Sequence, residues 1–130
     1  MAQDNVDVIQ TAWDAFGRGD IEKATSVADP NAEFHAPETL PWGGTYHGPE
    51  GFAELLASIR GNFDKFDAKP DKVLGADDDH VVVVAKFTAR TKKGQDVEGE
   101  AVWIYKMRNG QVMRGEAFTD SARLLEALGK

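Results

Sequence analysis

The sequence predicts an α+β cone: a curved antiparallel β-sheet with helices packed on its concave face, enclosing a pocket open at one end. Three observations point there. Amphipathic helical stretches dominate the first half of the chain, and alternating apolar runs fill the second. Between two of those runs stands Asn109-Gly110, a strong short hairpin signal because both turn residues must accept φ > 0. Helices segregated to one face of a sheet that curls around them leave a cavity between the two layers.

Taken in order, Asp4 or Asn5 caps a first helix whose Val6, Ile9, Trp13 and Phe16 follow three-four spacing, and Gly17 and Gly19 end it. Asp20 caps a shorter second helix that turns Ile21, Ala24, Val27 and Ala28 inward and stops at Asp29-Pro30. Ala32 to Ala36 reads as a short strand, ended by Pro37. The stretch from Pro37 to Gly48 reads as an irregular loop carrying Trp42, Tyr46 and His47, and aromatics in a loop of this length usually cover something. Pro49 opens a third helix with Glu50 in its first turn and Phe52, Leu55, Leu56, Ile59 and Phe63 as its apolar stripe. Strands follow over Phe66–Leu74 and His80–Arg90, separated by Asp77-Asp78-Asp79, and a last helix runs from Ala122 to Leu128. No repeat or linker divides the chain, so residues 1–130 are expected to form one domain.

Register follows from counting. A two-residue loop at Asn109-Gly110 sets Arg108 against Gln111, then Ile104 against Gly115, Val102 against Ala117 and Glu100 against Thr119. A second two-residue turn at Lys93-Gly94 pairs Phe87 with Glu100. Val81, Val83, Ala85, Phe87, Val102, Ile104 and Ala117 then share the helix-covered face with a lone acid, Glu100. Trp103, Tyr105 and Phe118 fall on the outer face, which predicts a homodimer through that face, with Lys86, Arg114 and Glu116 as its polar contacts.

The formal net charge of −7 and the absence of any dense basic patch argue against nucleic acid as a partner. The longest apolar run, Val81 to Ala85, is far too short to span a bilayer, so no membrane partner is expected. The N-terminal residues carry neither a basic nor an apolar region, which predicts no secretory signal and a cytoplasmic location. The chain has no cysteine and hence no disulfide or thiolate chemistry. Asp77, Asp78, Asp79 and His80 stand together, but consecutive carboxylates in a turn diverge, and the alternation of an EF-hand is missing; no metal is expected.

The order of elements, together with Phe34-His35-Ala36-Pro37, Gly43-Gly44-Thr45-Tyr46-His47-Gly48-Pro49-Glu50-Gly51-Phe52 and Asn109 to Asp120, resembles the SnoaL-like branch of the nuclear transport factor 2-like superfamily across nearly the whole chain. That resemblance implies the cone fold. Members of the superfamily include polyketide cyclases, ketosteroid isomerase, epoxide hydrolases, dehydratases and binding proteins without chemistry, so fold and activity are separate questions. The ketosteroid isomerase pattern, an example in general accounts of pKa tuning, would put its base near Ala36, its oxyanion tyrosine near Ala12 and its neutral acid near Ile104; all three are apolar here. The Asp-Arg-Asp set of limonene epoxide hydrolase would need an aspartate where Ala117 stands. A SnoaL-like cyclase needs one acid/base carboxylate in an apolar pocket. Glu100 or Asp120 is the candidate, with Tyr46 or His47 as hydrogen-bond donor to a developing oxyanion. Glu100 equally reads as a solvated rim residue, and Asp120 as a helix cap.

Two functions therefore stand at this point, beside a third reading as a dimeric scaffold whose cavity is filled by its own side chains. One is a cofactor-free acid/base enzyme of cyclase, isomerase or dehydratase type, acting on a small apolar carbonyl compound. The other is a non-catalytic binding or accessory protein. Both would use a pocket lined by Trp13, Phe16, His35, Trp42, Phe52, Leu56, Ile59, Phe87, Val102, Ile104, Ala117 and Thr119.

Overall fold

The computed structural model describes residues 2–129; Met1 and Lys130, the ends of the stretch read as one domain, lie outside them. Helix α1 (Ala2–Gly17) and the short α2 (Ile21–Thr25) lead into β1 (Ala28–Ala36), β2 (Gly44–His47) and α3 (Gly48–Gly61). Four long strands follow, β3 (Phe63–Gly75), β4 (His80–Thr91), β5 (Asp96–Arg108) and β6 (Gln111–Thr119), and α4 (Ser121–Ala127) closes the chain. One six-stranded sheet has the order β2-β1-β6-β5-β4-β3, antiparallel except where β1 runs parallel to β6. The sheet curves around α1 and α3 without closing. No helix among the described residues is long and apolar enough to cross a membrane.

Several local expectations hold. Asp20 and Asp120 cap α2 and α4, accepting the backbone N–H of Lys23 and Arg123 at 3.1 Å each. Asn109 and Gly110 both take positive φ (54° and 75°), and Arg108 faces Gln111 across the turn. Other boundaries move. β1 starts at Ala28 because α2 stops at Thr25, short of Asp29-Pro30, and the strand absorbs Pro30 at a register irregularity between Ala28 and Glu33. The loop read over Pro37–Gly48 contains β2, paired with β1 from Glu33↔His47 to Ala36↔Gly44.

The register of β5 is the main correction. The turn after β4 is a three-residue loop, not two: the Thr91 N–H donates to the Gln95 carbonyl, and Gly94 sits at φ 87° in the left-handed position such loops require. Phe87 therefore faces Gly99, not Glu100, and Lys86 faces Glu100. On the other side, β6 carries a bulge. Met107 pairs with Val112 but Lys106 with Arg114, leaving Met113 over, while the Val112 N–H donates to the Val27 carbonyl at 2.8 Å. Each departure displaces the count by one residue, and one residue exchanges the faces of a strand. Trp103, Tyr105 and Met107 are consequently buried beneath the helices, while Val102, Ile104 and Glu100 turn outward. The sides of β4 and β6 stay as expected: Val81, Val83, Ala85 and Phe87 are buried, Gly115 faces inward and Phe118 faces out.

The core is built from this corrected face. Phe34, fully buried, stacks on Phe52 at 4.1 Å with 10° between planes, and Trp103 lies parallel to Tyr105 at 5.8 Å. Gly115 makes room for both layers: a Cβ there would come within 2.8 Å of the Phe34 ring and 3.4 Å of Tyr105. Helix α1 is tied to the sheet by Trp13, whose indole N–H donates to the Tyr105 hydroxyl at 3.1 Å. Burial pushes the Tyr105 phenol above its ordinary value of 10.0, and the Trp13 hydrogen bond offsets this only in part.

Two outcomes follow for stability. Gly115→Ala should lower the urea midpoint by the equivalent of about 1–3 kcal/mol at unchanged slope, because a closed ring stack cannot give way. For Tyr105, the native state favours the neutral phenol, so its contribution is complete below pH 10 and is lost as pH rises above it. Urea unfolding from pH 9 to 11 should show a decline approaching about 1.4 kcal/mol per pH unit from this group, absent in Tyr105→Phe.

Candidate functional site

Between the helices and the sheet lies a cavity of about 90 Å³. Its floor is made by small side chains: Ala85, Ala101 and Thr119 lie directly across three adjacent strands, with Ala117 beside them. Its walls are aromatic. Trp13 and Phe16 come from α1, Phe52 from α3, Trp42 from the β1–β2 connection, Phe66 and Phe87 from β3 and β4, and Trp103 and Tyr105 from β5. Alternation along β5 explains the shape: Gly99, Ala101, Trp103 and Tyr105 share the inner face, so small residues open the space that large ones then bound.

Nine of the residues read from the sequence as pocket-lining border this cavity: Trp13, Phe16, Trp42, Phe52, Leu56, Ile59, Phe87, Ala117 and Thr119. Val102 and Ile104 do not, because β5 is turned over, and Ile104 is instead 38% exposed. His35 also points away. Its neighbours Phe34 and Ala36 take the inner face, and its Nδ1 lies 3.0 Å from Thr45 Oγ1, with Nε2 3.8 Å from Glu33. Of the residues that sequence reasoning missed, Trp103, Tyr105 and Ala101 sit on the misassigned face of β5, while others, among them Ile9, Phe66, Ala85 and Leu124, come from α1, β3, β4 and α4.

The four residues read as catalytic are not brought together in the cavity. Glu100 is exposed on the outer face, across from Lys86, and with Asp120 it borders a separate surface groove that includes Lys86, Glu98 and Arg123. The expectation of a buried acid fails with the register that placed it. Asp120 is occupied as the cap of α4 and lies 3.4 Å from Arg123. Tyr46 spends its hydroxyl proton on the Trp42 carbonyl at 2.8 Å, so it holds the loop that carries Trp42. His47 stands at the entry to α3, exposed, with Nδ1 3.9 Å from Glu33.

The cavity's own polar groups are two hydroxyls. Thr119 Oγ1 donates to the Glu100 carbonyl at 3.1 Å, and Tyr105 receives the indole proton of Trp13. Every other lining side chain is apolar save for the indole N–H groups of Trp13, Trp42 and Trp103. At neutral pH the one titratable group of this lining, Tyr105, is a proton-bearing donor and not a base. At the β3–β4 turn Asp77 is engaged locally: it lies 2.9 Å from the His80 ring, which lowers its pKa, and it accepts from the backbone of Asp79 and His80.

Comparison with known proteins places this architecture. No curated protein matches the sequence. Among solved structures, TerC co-crystallized with polyporic acid is 25% identical, with 98% of this chain and 99% of that one covered at a TM-score of 0.88. An NTF2-like protein of unknown function from Burkholderia pseudomallei superimposes at 0.89 over 98% of both chains with 18% identity. A putative SnoaL-like polyketide cyclase from Jannaschia sp. gives 0.83 at 20% identity, over 97% of this chain and 92% of its own. The profile of the SnoaL-like domain matches residues 9–115, which includes both walls of the cavity up to Gly115, and the chain belongs to that family.

Proposed function

We propose that this protein binds a small, largely apolar organic molecule inside the cone and does so without supplying an acid or a base. The observation that carries this reading is the lining itself, aromatic and alanine-rich, with two hydroxyls and three indole N–H groups as its polar groups. At about 90 Å³ the space is smaller than the roughly 150 Å³ apolar cavity that takes up benzene, so a ligand larger than one ring would extend toward the mouth or displace a wall. The likeness to TerC, whose crystals contained polyporic acid, supports occupancy by an organic ligand in this fold. An acid/base enzyme would need a carboxylate or imidazole facing the ligand, and Glu100, Asp120 and His47 all lie outside the cavity.

All three tryptophans of the chain, Trp13, Trp42 and Trp103, line the cavity, so its occupancy reads out directly as tryptophan fluorescence. Titration with small aromatic hydrocarbons and ketones should quench or shift that emission saturably. Ala101→Leu, which fills the floor, should weaken binding at least tenfold while stabilising the fold by about 0.5–2 kcal/mol, as cavity-filling changes do. Glu100→Gln should leave binding unchanged. Saturable binding that survives Ala101→Leu would place the ligand elsewhere.

We further propose that a second copy of the chain covers the outer face of the sheet, though not through Trp103 and Tyr105, which are only 7% and 3% exposed. Val82, Val84, Val102, Ile104 and Phe118 form the apolar centre there, with Val82 across from Ile104 and Val102 between Val84 and Phe118. Phe118 is 50% exposed. Lys86 and Glu100 stand opposite one another beside this patch, and Arg114 holds Glu116 at 3.0 Å, so the rim offers both signs of charge to a two-fold mate. Light scattering at micromolar concentration should report a dimer, and the pair Ile104→Lys with Phe118→Lys should convert it to a folded monomer. A wild-type monomer rejects this surface.

A further inference from the structure

We infer that Glu33, His35 and His47 form a site for one divalent transition-metal ion, of the zinc class, on the outer face of the sheet where β1 meets β2. The site is separate from the cavity and does not depend on what the cavity binds.

Strand pairing assembles the three donors. Glu33 and His35 are two apart on β1 and so share a face, and His47 of β2 stands directly across from Glu33. Two alternate positions of one strand and the facing position of its neighbour make a tripod, and imidazole with carboxylate is a donor set that zinc takes. Glu33 occupies the middle: one carboxylate oxygen lies 3.8 Å from His35 Nε2 and the other 3.9 Å from His47 Nδ1. Ligand atoms on a tetrahedral zinc are about 3.3 Å apart, given bonds of about 2.0–2.1 Å. Among the described residues no three such side chains already stand in coordinating geometry. The site therefore closes around the ion as it arrives, each gap shortening by about half an ångström. The side chains of Glu33 and His47 are 44% and 67% exposed, and His47 makes no capping hydrogen bond to α3, so both can turn that far.

His35 is the fixed member. Its Nδ1 lies 3.0 Å from Thr45 Oγ1 across the same pair of strands, while its Nε2 is buried without a hydrogen-bond partner. With the ring proton on Nδ1 and donated to the Thr45 hydroxyl, Nε2 presents a bare lone pair beside the Glu33 carboxylate. An imidazole that ligates through one nitrogen and gives its other N–H to an oxygen is the usual arrangement at a metal. Thr45 thus acts through His35 as a positioning residue. The surrounding charges also admit a cation. Arg114 faces Glu33 across β1 and β6 with Nη1 3.9 Å from it, but Arg114 Nε is held by Glu116 at 3.0 Å, and Glu116 faces His35. Two carboxylates against one guanidinium leave the cluster negative, on a chain whose formal net charge is −7.

The test titrates the whole chain with Zn²⁺ in competition with a chromophoric chelator, and with Co²⁺ read by the visible absorption of a tetrahedral ion. One ion per chain is expected, because all three donors come from one copy. Glu33→Gln, His35→Gln and His47→Gln should each weaken Zn²⁺ roughly tenfold or more and remove the Co²⁺ band. Thr45→Val should weaken Zn²⁺ by about tenfold, and Thr45→Ser, which keeps the hydroxyl, should restore it. The remaining histidine, His80, stands beside Asp77 at the β3–β4 turn, and His80→Gln should change nothing. Should His35→Gln fail to fold, Glu33→Gln and His47→Gln, at exposed positions, decide the outcome. The inference is overturned by a Zn²⁺ Kd above about 100 μM, by half an ion per chain, or by binding that is lost in His80→Gln but kept in His47→Gln. Unchanged affinity in Thr45→Val overturns the role given to Thr45.

Discussion

The facing of β5 is the constraint on which the remaining structure depends. Its inner face reads Val97, Gly99, Ala101, Trp103, Tyr105 and Met107; its outer face reads Glu98, Glu100, Val102, Ile104, Lys106 and Arg108. A slip by one residue would bury four charged side chains for the gain of two aliphatic ones. Desolvating an unpaired charge costs several kcal/mol, against about 1.5–3 kcal/mol for burying a Val or Ile, so the slipped register loses decisively. The inner set also divides its labour. Gly99 admits the Phe87 ring, to which a Cβ would come within 2.8 Å, Ala101 leaves the space of the cavity, and Trp103 with Tyr105 forms its wall. One strand thus sets core and void together.

That same strand is where reading the sequence by turn counting fails, and the failure has a definite physical origin. Lys93-Gly94 looks like a two-residue turn, but the loop closes one residue later between Thr91 and Gln95. Asn109-Gly110 is the expected turn, yet Met113 is extruded as a bulge while the Val112 N–H bonds to Val27 of a distant segment. Neither event is local enough to be visible in a tight-turn signature. Because each displaces the register by one, they cancel between β4 and β6, whose inner and outer residues come out correctly, and they invert only the strand between. The distribution of charge along the whole of β5 was the stronger signal, since it does not depend on a turn.

What was legible in the site divides along the same line. Trp13, Phe16, Phe52, Leu56 and Ile59 lie on helices, where the period of 3.6 residues ties each position to the apolar stripe without reference to any partner. Phe87 lies on β4, whose alternation is clean from Val81 onward. These residues border the cavity as expected. Val102, Ile104 and Glu100 depended on counting across two loops, and all three face away. Asp120 and Tyr46 were visible as polar residues in suggestive places, but each is satisfied by local backbone: one as a helix cap, the other on the Trp42 carbonyl. Polar residues near helix ends and in loops meet local partners first, which is why their chemistry is the least readable from sequence.

A cavity that persists inside a packed core also needs a cause. An empty space of about 90 Å³ costs on the order of 2 kcal/mol at the rate found for core truncations, so a sequence free to close it would gain stability by doing so. Here the walls resist collapse. Phe34 is pinned between Phe52 and Gly115, Trp103 lies flat against Tyr105, and Tyr105 is held from above by Trp13. Large rings locked in mutual contact cannot swing inward as a leucine could, and the alanines beneath them have nothing to extend. The space is therefore maintained by the same aromatic contacts that stabilise the fold, and a molecule entering it recovers dispersion contacts that the walls cannot make with one another. Rigidity of this kind would lower the ordering cost of any guest that entered, since the space is already formed.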